Sequence, residues 1–194
     1  MKTEIESKAV AVYCGSSSRL SDTYLSAARS VGALLARAGV NVVTGGGNMG
    51  MMKAVADGAL AEGGTVKGII PRFMIERGWH DIRVNIIEVA DMHERKASMA
   101  SLSYACIALP GGIGTFDELC EMITWRQLGL FTGNVVIANF NNYFAPFLTM
   151  LDTSVKEGFM NPEHMDIFSV ANTPEEAVGQ ALQPHSGVVF KPKF

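Results

Sequence analysis

LPGGIGTFDE, residues 109–118, is the stretch of sequence that decides the fold. It ends an apolar run over 104–109 that is typical of a short buried strand, and it leads into a pattern over 115–129 that predicts a helix. Its three glycines let the backbone approach a ligand closely. The free N–H groups and the positive dipole end of a helix start favour an anion such as phosphate. The stretch therefore predicts a phosphate site at a strand-to-helix turn, with Asp117 and Glu118 in the first helical turn beside the anion.

Strand and helix patterns alternate along the rest of the chain. Strands are predicted over 8–14, 40–44, 65–70, 84–89, 104–109 and 135–140, with an edge strand over 167–170. Helices are predicted over 21–38, 49–62, 91–101, 115–129, 143–156 and 174–182, the last capped by Thr173. The β-α-β-α-β order predicts a Rossmann-like, doubly wound parallel sheet with helices on both faces, in one α/β domain over residues 1–194. Residues 71–80 show no clear hydrophobic period. Two interpretations stay open: a loop or short helix that covers the site, or a plain surface connection.

Composition excludes several classes of function. Of the 194 residues, 48% are hydrophobic and 18% charged, and the net charge is −3, as in an ordinary globular protein. There is no basic block, so no nucleic-acid partner is expected. No apolar run approaches the roughly 18 residues of a membrane helix, so no membrane partner is expected either. The start, residues 1–8, is too charged for a signal peptide.

Cysteines and histidines show no pattern of a disulfide framework or a metal site. Cys14, Cys106 and Cys120 are odd in number and widely spaced, which predicts reduced, buried thiols in a cytoplasmic protein. The four histidines lack the spacing of metal ligands, so no metal is expected.

Three loops rich in glycine or serine follow predicted strands, at 15–18, 45–50 and 111–114. Ligands of doubly wound sheets bind at that edge, beyond the carboxyl ends of the strands. GGGNMG, residues 45–50, matches the dinucleotide pattern G-x-G-x-x-G, but it follows the second strand rather than the first. The next strand ends without a carboxylate for an adenosine ribose, although Arg72 is available for a 2′-phosphate. A loop that contributes backbone to a mononucleotide site is favoured, while a phosphorylated dinucleotide and a purely structural turn stay open.

Arg95 and Glu118 are the charged side chains most indicative of chemistry. Arg95 shares a helix face with apolar residues, and a cation on an inward face needs an anionic partner, either a core carboxylate or a bound nucleotide. Glu118 follows Thr115 at the T-x-x-E spacing of a capping box, so a role as a helix cap competes with a catalytic one. Asp117 is expected to complement the helix dipole, and Glu121, one turn further, can reach the same space.

Three segments resemble the Lonely Guy family, the cytokinin riboside 5′-monophosphate phosphoribohydrolases. They are PGGIGTFDE (110–118), GGGNMGMM (45–52) and MHERKA (92–97), and the likeness runs in order along nearly the whole chain. The resemblance implies hydrolysis of the N-glycosidic bond of a purine nucleoside 5′-monophosphate, AMP or N6-substituted AMP, to free base and ribose 5-phosphate. It also suggests a homodimer and no metal or redox cofactor. Asp117 departs from the family, since the plant enzymes usually have a second Glu there.

Roles for individual residues combine this resemblance with the residue patterns described above. Catalysis is assigned to Glu118 and Arg95. The phosphate site comprises Gly111, Gly112, Gly114 and Thr115. The remaining substrate and base contacts are Ser16, Gly46, Met92, Lys96 and Glu121. Trp125 and Arg126 are candidates for a base pocket or a subunit contact, with plain core equally open for Trp125. No residue is marked as the acid that protonates the departing base.

Two other functions compete with this interpretation. A nucleotide-binding module without catalysis explains the glycine loops but leaves Arg95 and Glu118 unexplained. Lysine decarboxylation needs pyridoxal phosphate on a lysine, and nothing marks Lys53 or Lys96 as a Schiff-base residue.

Overall fold

A computed structural model describes residues 8–184 as one seven-stranded parallel sheet flanked by helices. The strands are β1 (Ala9–Tyr13), β2 (Asn41–Thr44), β3 (Val66–Pro71), β4 (Asn85–Val89), β5 (Ala105–Ala108), β6 (Asn134–Ala138) and β7 (Phe168–Ala171). The helices are α1 (Asp22–Arg37), α2 (Gly50–Ala61), α3 (Arg72–Glu76), α4 (Met92–Ser101), α5 (Ile113–Gln127), α6 (Ala145–Lys156) and α7 (Pro174–Leu182). Short 3₁₀ turns occupy Phe140–Asn142 and Pro162–Ile167.

The strand order β4-β3-β2-β1-β5-β6-β7 confirms the doubly wound, Rossmann-like fold. The chain builds outward from β1 to β4, then returns to place β5 on the other side of β1. The order therefore reverses between β1 and β5, and the loops that follow these two strands diverge there. Residues 1–7 and 185–194 lie outside the described part of the chain. A single domain covering all of 1–194 therefore stays a prediction, and so does the expectation that the charged start is not a signal peptide.

The inner strands are largely buried on both faces, whereas the edge strand β4 is mostly exposed. The period of two sorts the buried side chains into two cores. Along β1, Val10 and Val12 pack with α1, α2 and α7, while Ala11 and Tyr13 pack with α4 and α5 on the opposite face. Helices α1 and α2 can approach closely because Gly32 has no side chain. A Cβ on Gly32 would lie only 2.0 Å from the Val55 carbonyl oxygen.

Several predicted element boundaries differ from the structure. Helix α6 begins at Ala145 instead of 143 because a 3₁₀ turn precedes it. The alternative of a short helix within residues 71–80 is confirmed as α3. The predicted edge strand is confirmed as β7, shifted by one residue. The cap of α7 is also confirmed, since Thr173 Oγ1 accepts from Glu176 N at 3.2 Å.

The thiols are free, but one prediction about their burial is wrong. Cys14 and Cys106 are buried, whereas Cys120 is exposed because it lies on the outer face of α5, next to the fully buried Leu119. No helix in residues 8–184 is long and apolar enough to cross a membrane. His185 lies outside that range; within it, no three metal-ligating side chains come together.

Candidate active site

A cavity of about 270 Å³ lies where the three predicted loops meet, at the carboxyl ends of β1, β2 and β5. It is bordered by Cys14, Gly15, Ser16, Gly45, Gly47, Asn48, Met49, Met52, Met74, Trp79, Met92, Arg95, Gly112, Gly114, Thr115, Asp117 and Glu118. Parallel strands bring these loops to one edge, although the loops are tens of residues apart in the chain. Of the predicted site residues, the cavity brings together Glu118, Arg95, Gly112, Gly114, Thr115, Ser16 and Met92.

The start of α5 presents uncapped backbone to this cavity. The helix begins at Ile113, with Gly112 as its N-cap, and no side chain of the described residues caps its start. A Cβ on Gly112 or on Gly114 would meet nothing within 4 Å, so both face open space. Gly111 differs, because a Cβ there would lie 2.1 Å from Thr115 Oγ1, and Gly111 does not border the cavity. Gly111 therefore allows close packing beneath the turn, while its two neighbours expose the backbone to a ligand.

The capping-box interpretation of Thr115 and Glu118 is wrong. Helix α5 starts two residues earlier than predicted, so Thr115 is its third residue and Glu118 its sixth. Asp117 and Glu118 consequently lie in the second turn, not the first, and no acid occupies the first turn. Glu118 makes no hydrogen bond or ion pair with any described residue, so nothing in residues 8–184 accounts for it as a structural group.

Arg95 is a buried cation without a carboxylate partner in the described part of the chain. It is only 6% exposed, and its Nη2 donates to the Gly45 carbonyl oxygen at 3.2 Å. Nη1 lies 3.6 Å from Met74 Sδ and 3.8 Å from Met92 Sδ, while the buried Nε has no partner. Burial lowers the pKa of Arg95, and the nearby Glu118 charge opposes that shift. The alternative of a pairing with a core carboxylate is therefore wrong.

Gly45 is a residue whose importance sequence reasoning missed. A Cβ at this position would lie 1.7 Å from Arg95 Nη2, so the guanidinium needs glycine there. The glycine pattern of 45–50 was a visible signal, but Arg95 is 50 residues away and only the fold brings the two together.

Glu118 borders the same cavity as Arg95 and is half-buried. Burial raises the pKa of its carboxyl to about 7, and the neighbouring Asp117 charge adds to this effect, while Arg95 opposes it. A carboxyl that titrates near neutral pH in a cavity is typical of groups that take part in acid–base chemistry.

Lys96 is held by acidic residues of α5 rather than directed at the phosphate site. Its Nζ lies 3.1 Å from Asp117 Oδ2 and 3.3 Å from Glu121 Oε1. Neither Lys96 nor Glu121 borders the cavity, although Asp117 does. These two ion pairs tie α4 to α5, and so fix Arg95 and Glu118 relative to each other.

Other candidates also fall outside the cavity. Gly46 lies just behind its border, where a Cβ would be 3.1 Å from Gly68 Cα. Trp125 is partly buried against the core, and Arg126 donates to the carbonyl oxygens of Ile167, Thr132 and Gly133. Neither residue borders the cavity, so a base contact by them receives no support, and a subunit contact stays a prediction.

The segment of residues 71–80 contributes to the site and is not a plain surface connection. Met74 and Trp79 from this segment border the cavity, together with Met49 and Met52 from the glycine-loop side. Met49, Met52 and Met74 were missed because methionines usually fill cores. Arg72 does not border the cavity but pairs with Glu88 at 2.6 Å, which removes the support for a dinucleotide 2′-phosphate.

Comparisons with known proteins identify relatives of this chain. A family model described as "possible lysine decarboxylase" matches residues 52–181. A cytokinin riboside 5′-monophosphate phosphoribohydrolase of Arabidopsis thaliana is 40% identical over 191 residues, covering 96% of this chain and 84% of the relative. A protein of the same name from Rhodococcoides fascians is 37% identical over 179 residues, covering 91% and 90%.

A solved structure shares the fold at lower identity. The molybdenum cofactor binding protein of Rippkaea orientalis matches with a TM-score of 0.69 and 21% identity, covering 89% of this chain and 94% of that chain. Identity this low shows the fold alone. The family model spans more than half of the chain, and the curated relatives are matched over most of their length; the chain therefore belongs to the Lonely Guy family, which the matching model describes as possible lysine decarboxylases.

Proposed function

We propose that this protein hydrolyses the N-glycosidic bond of purine nucleoside 5′-monophosphates, AMP or N6-substituted AMP, and releases the free base and ribose 5-phosphate. The proposal depends on one observation: a cation and a carboxylate that are not explained by structural contacts border the same cavity. Among residues 8–184, Arg95 is buried without a carboxylate ion pair, and Glu118 makes no hydrogen bond or ion pair. The names of the curated relatives support the same reaction.

The phosphate of the substrate binds at the start of α5. Gly112, Gly114 and Thr115 border the cavity there, and no capping side chain competes for the first N–H groups. A dianion at this position is stabilised by the helix dipole and by charge-assisted hydrogen bonds. Binding there fixes the ribose close to Glu118, one turn along the helix.

Glu118 acts in its ionised form on the ribose. As the bond between C1′ and the base nitrogen breaks, positive charge builds on the ribose ring, and the electron pair leaves with the base. The Glu118 carboxylate stabilises that charge and orients the water that attacks C1′. Arg95 orients Glu118 and polarises the substrate. The attacking water loses one proton as it bonds to C1′ and the departing base gains one, so the step balances without a cofactor; no residue is assigned to the proton that reaches the base.

The base lies against the apolar side of the cavity, formed by methionines and Trp79. This surface suits a purine, and it also suits an apolar N6 substituent, so AMP and N6-prenylated AMP are the first substrates to compare. Ser16 and Met92 border the cavity as well and are assigned substrate contacts.

The test is a panel of nucleoside 5′-monophosphates assayed for free base and ribose 5-phosphate. Release from AMP, none from adenosine, and loss of release in Glu118→Gln with AMP binding retained are the expected results. AMP binding without any base release by the wild-type protein would favour the non-catalytic binding module. Unchanged turnover in Glu118→Gln would refute the assignment of Glu118.

Lysine decarboxylation receives no support from the cavity. Lys53 pairs with Asp57 at 2.8 Å and Lys96 with two acids, and no lysine is among the described residues that border the cavity. An absorbance scan of the protein with added pyridoxal phosphate tests this alternative, because a Schiff base absorbs near the visible region.

The proposal includes a homodimer. Helix α6 has no fully buried residue, and apolar side chains around the ends of α5 and α6 are exposed, with Leu130 at 70% and Phe159 at 88%. Apolar exposure of this extent supports a subunit contact on this side. Light scattering of Phe159→Lys should give a monomer, whereas Ile82→Lys, which alters an equally exposed apolar residue before β4, should not change the mass of the assembly.

A cytoplasmic location is part of the same proposal and is supported by the three free thiols. Fractionation of cells that express the tagged protein tests it.

A further inference from the structure

Residues 78–81 form a segment that lies against the glycine-rich loop. Asn48 N donates to the Trp79 carbonyl oxygen at 3.0 Å, and Asp81 N donates to the Gly46 carbonyl oxygen at 2.9 Å. Gly47 and His80 form an antiparallel bridge between these contacts. This short ribbon places Trp79 at the border of the cavity, although its side chain stays 40% exposed.

Asp81 anchors this segment through a network of charges. Its carboxylate is 4% exposed and accepts from Arg83 N at 3.1 Å and from Arg83 Nε at 2.9 Å. Arg83 Nη2 also reaches Asp57 Oδ1 on α2 at 2.8 Å, and Lys53 holds the same carboxylate at 2.8 Å. The hydrogen bond from Arg83 keeps the pKa of Asp81 below its usual range. The segment is thereby tied to α2, the helix that starts at the glycine loop.

Trp79 is restrained from a second direction. The Arg77 guanidinium carbon lies 5.0 Å from the centroid of the Trp79 ring and 5.5 Å from that of Phe73. A large aromatic ring that is held by a ribbon, a buried carboxylate and a cation, yet is left exposed at a cavity, is preorganised for a ligand.

We propose that Trp79 is the surface on which the base of the substrate stacks, and that Asp81 is the positioning residue that holds Trp79 in place. The inference rests on the proposed function, since it takes a nucleoside monophosphate as the ligand. The α5 end of the cavity offers backbone N–H groups to the phosphate, which leaves the apolar side for the base. Stacking on indole needs only the π-face of the base, so the larger purine ring binds better than a pyrimidine.

The two tryptophans of the chain allow a direct binding test. Trp125→Phe keeps an apolar ring in the core and leaves Trp79 as the single indole. In this parent protein, AMP should quench the emission of Trp79. Adding Asp81→Asn should make Trp79 more accessible to acrylamide without ligand and should weaken the AMP-induced quenching. Glu62→Gln is the matched control, because it makes the same acid-to-amide change at the exposed Arg37–Glu62 pair and should alter neither signal.

Steady-state kinetics separate a positioning role from a merely structural one. Trp79→Ala should raise KM for AMP by roughly 5- to 150-fold, the loss that corresponds to one base–aromatic stack, with a smaller effect on kcat and a reduced preference for purine over pyrimidine monophosphates. Asp81→Asn should act in the same direction but less strongly. Arg83→Met should also raise KM for AMP, because it removes the partner of Asp81. Arg83→Lys should raise it less, because lysine keeps a positive charge opposite Asp81.

The outcomes distinguish this inference from the proposed function. The inference would be overturned if the parent protein were active but its Trp79 fluorescence did not change with AMP. It would also be overturned if Trp79→Ala left KM for AMP unchanged. Either result would leave the proposed reaction standing. A parent that releases no base but shows AMP-dependent quenching would overturn the reaction and support the stacking site.

Discussion

Glu118→Gln should make the protein more stable at alkaline pH while abolishing base release. Burial raises the pKa of Glu118 from its usual 4.5 to about 7. The folded state therefore binds this proton more tightly than the unfolded state does. The resulting stabilisation is complete below about pH 4.5 and is lost as the pH rises through about 7. Glutamine cannot ionise, so the variant does not incur that loss.

The magnitude follows from the difference between the two pKa values. At about 1.36 kcal/mol for each pKa unit, a rise in pKa of about 2.5 corresponds to roughly 3–4 kcal/mol as an upper bound. For a chain of this size, that free energy corresponds to an increase in Tm of roughly 7–14 °C. The two proteins should be equally stable near pH 4.5 and should diverge by pH 8.5.

Thermal or urea unfolding at these two pH values is the assay. Glu121→Gln is the control, because it removes an acid on the same helix that pairs with Lys96 at 3.3 Å and should give no stabilisation. If Glu118→Gln were no more stable than wild type at pH 8.5, the argument from burial would be refuted. In wild type, kcat/KM for AMP should fall as the pH drops through about 7, because the ionised form of Glu118 is lost.

Three further substitutions test separate parts of the site and fold. Thr115→Ala should weaken the binding of AMP more than that of adenosine in calorimetry, and equal losses would place the phosphate elsewhere. Gly45→Ala puts a Cβ 1.7 Å from Arg95 Nη2, so it should displace the guanidinium and reduce turnover strongly; circular dichroism checks that the fold is kept, and full activity would contradict the role of Arg95. Thr173→Ala removes the cap of α7 and should lower the free energy of unfolding by about 1 kcal/mol without changing kcat, as urea titration and the AMP assay would show.

The site was only partly predictable, because local sequence showed neither where α5 begins nor which side chains α5 brings next to α4. The T-x-x-E spacing suggested a cap at Thr115, but the helix begins at Ile113 with Gly112 as its N-cap, which moves Glu118 into the second turn. Lys96 was assigned a substrate contact, yet α5 places two acids within 3.3 Å of it.

Local pattern by itself determined the order of strands and helices, the parallel sheet and the three loops at its carboxyl edge. Each of those features depends on the period of apolar residues and on turn-forming residues within a few positions of one another. Only the tertiary structure decided that Arg95 contacts Gly45, that Lys96 pairs with α5, and that Trp79 borders the cavity. These contacts join residues 21 to 50 positions apart, or depend on how a loop packs, and they are set by the packing of helices on the sheet rather than by neighbouring sequence.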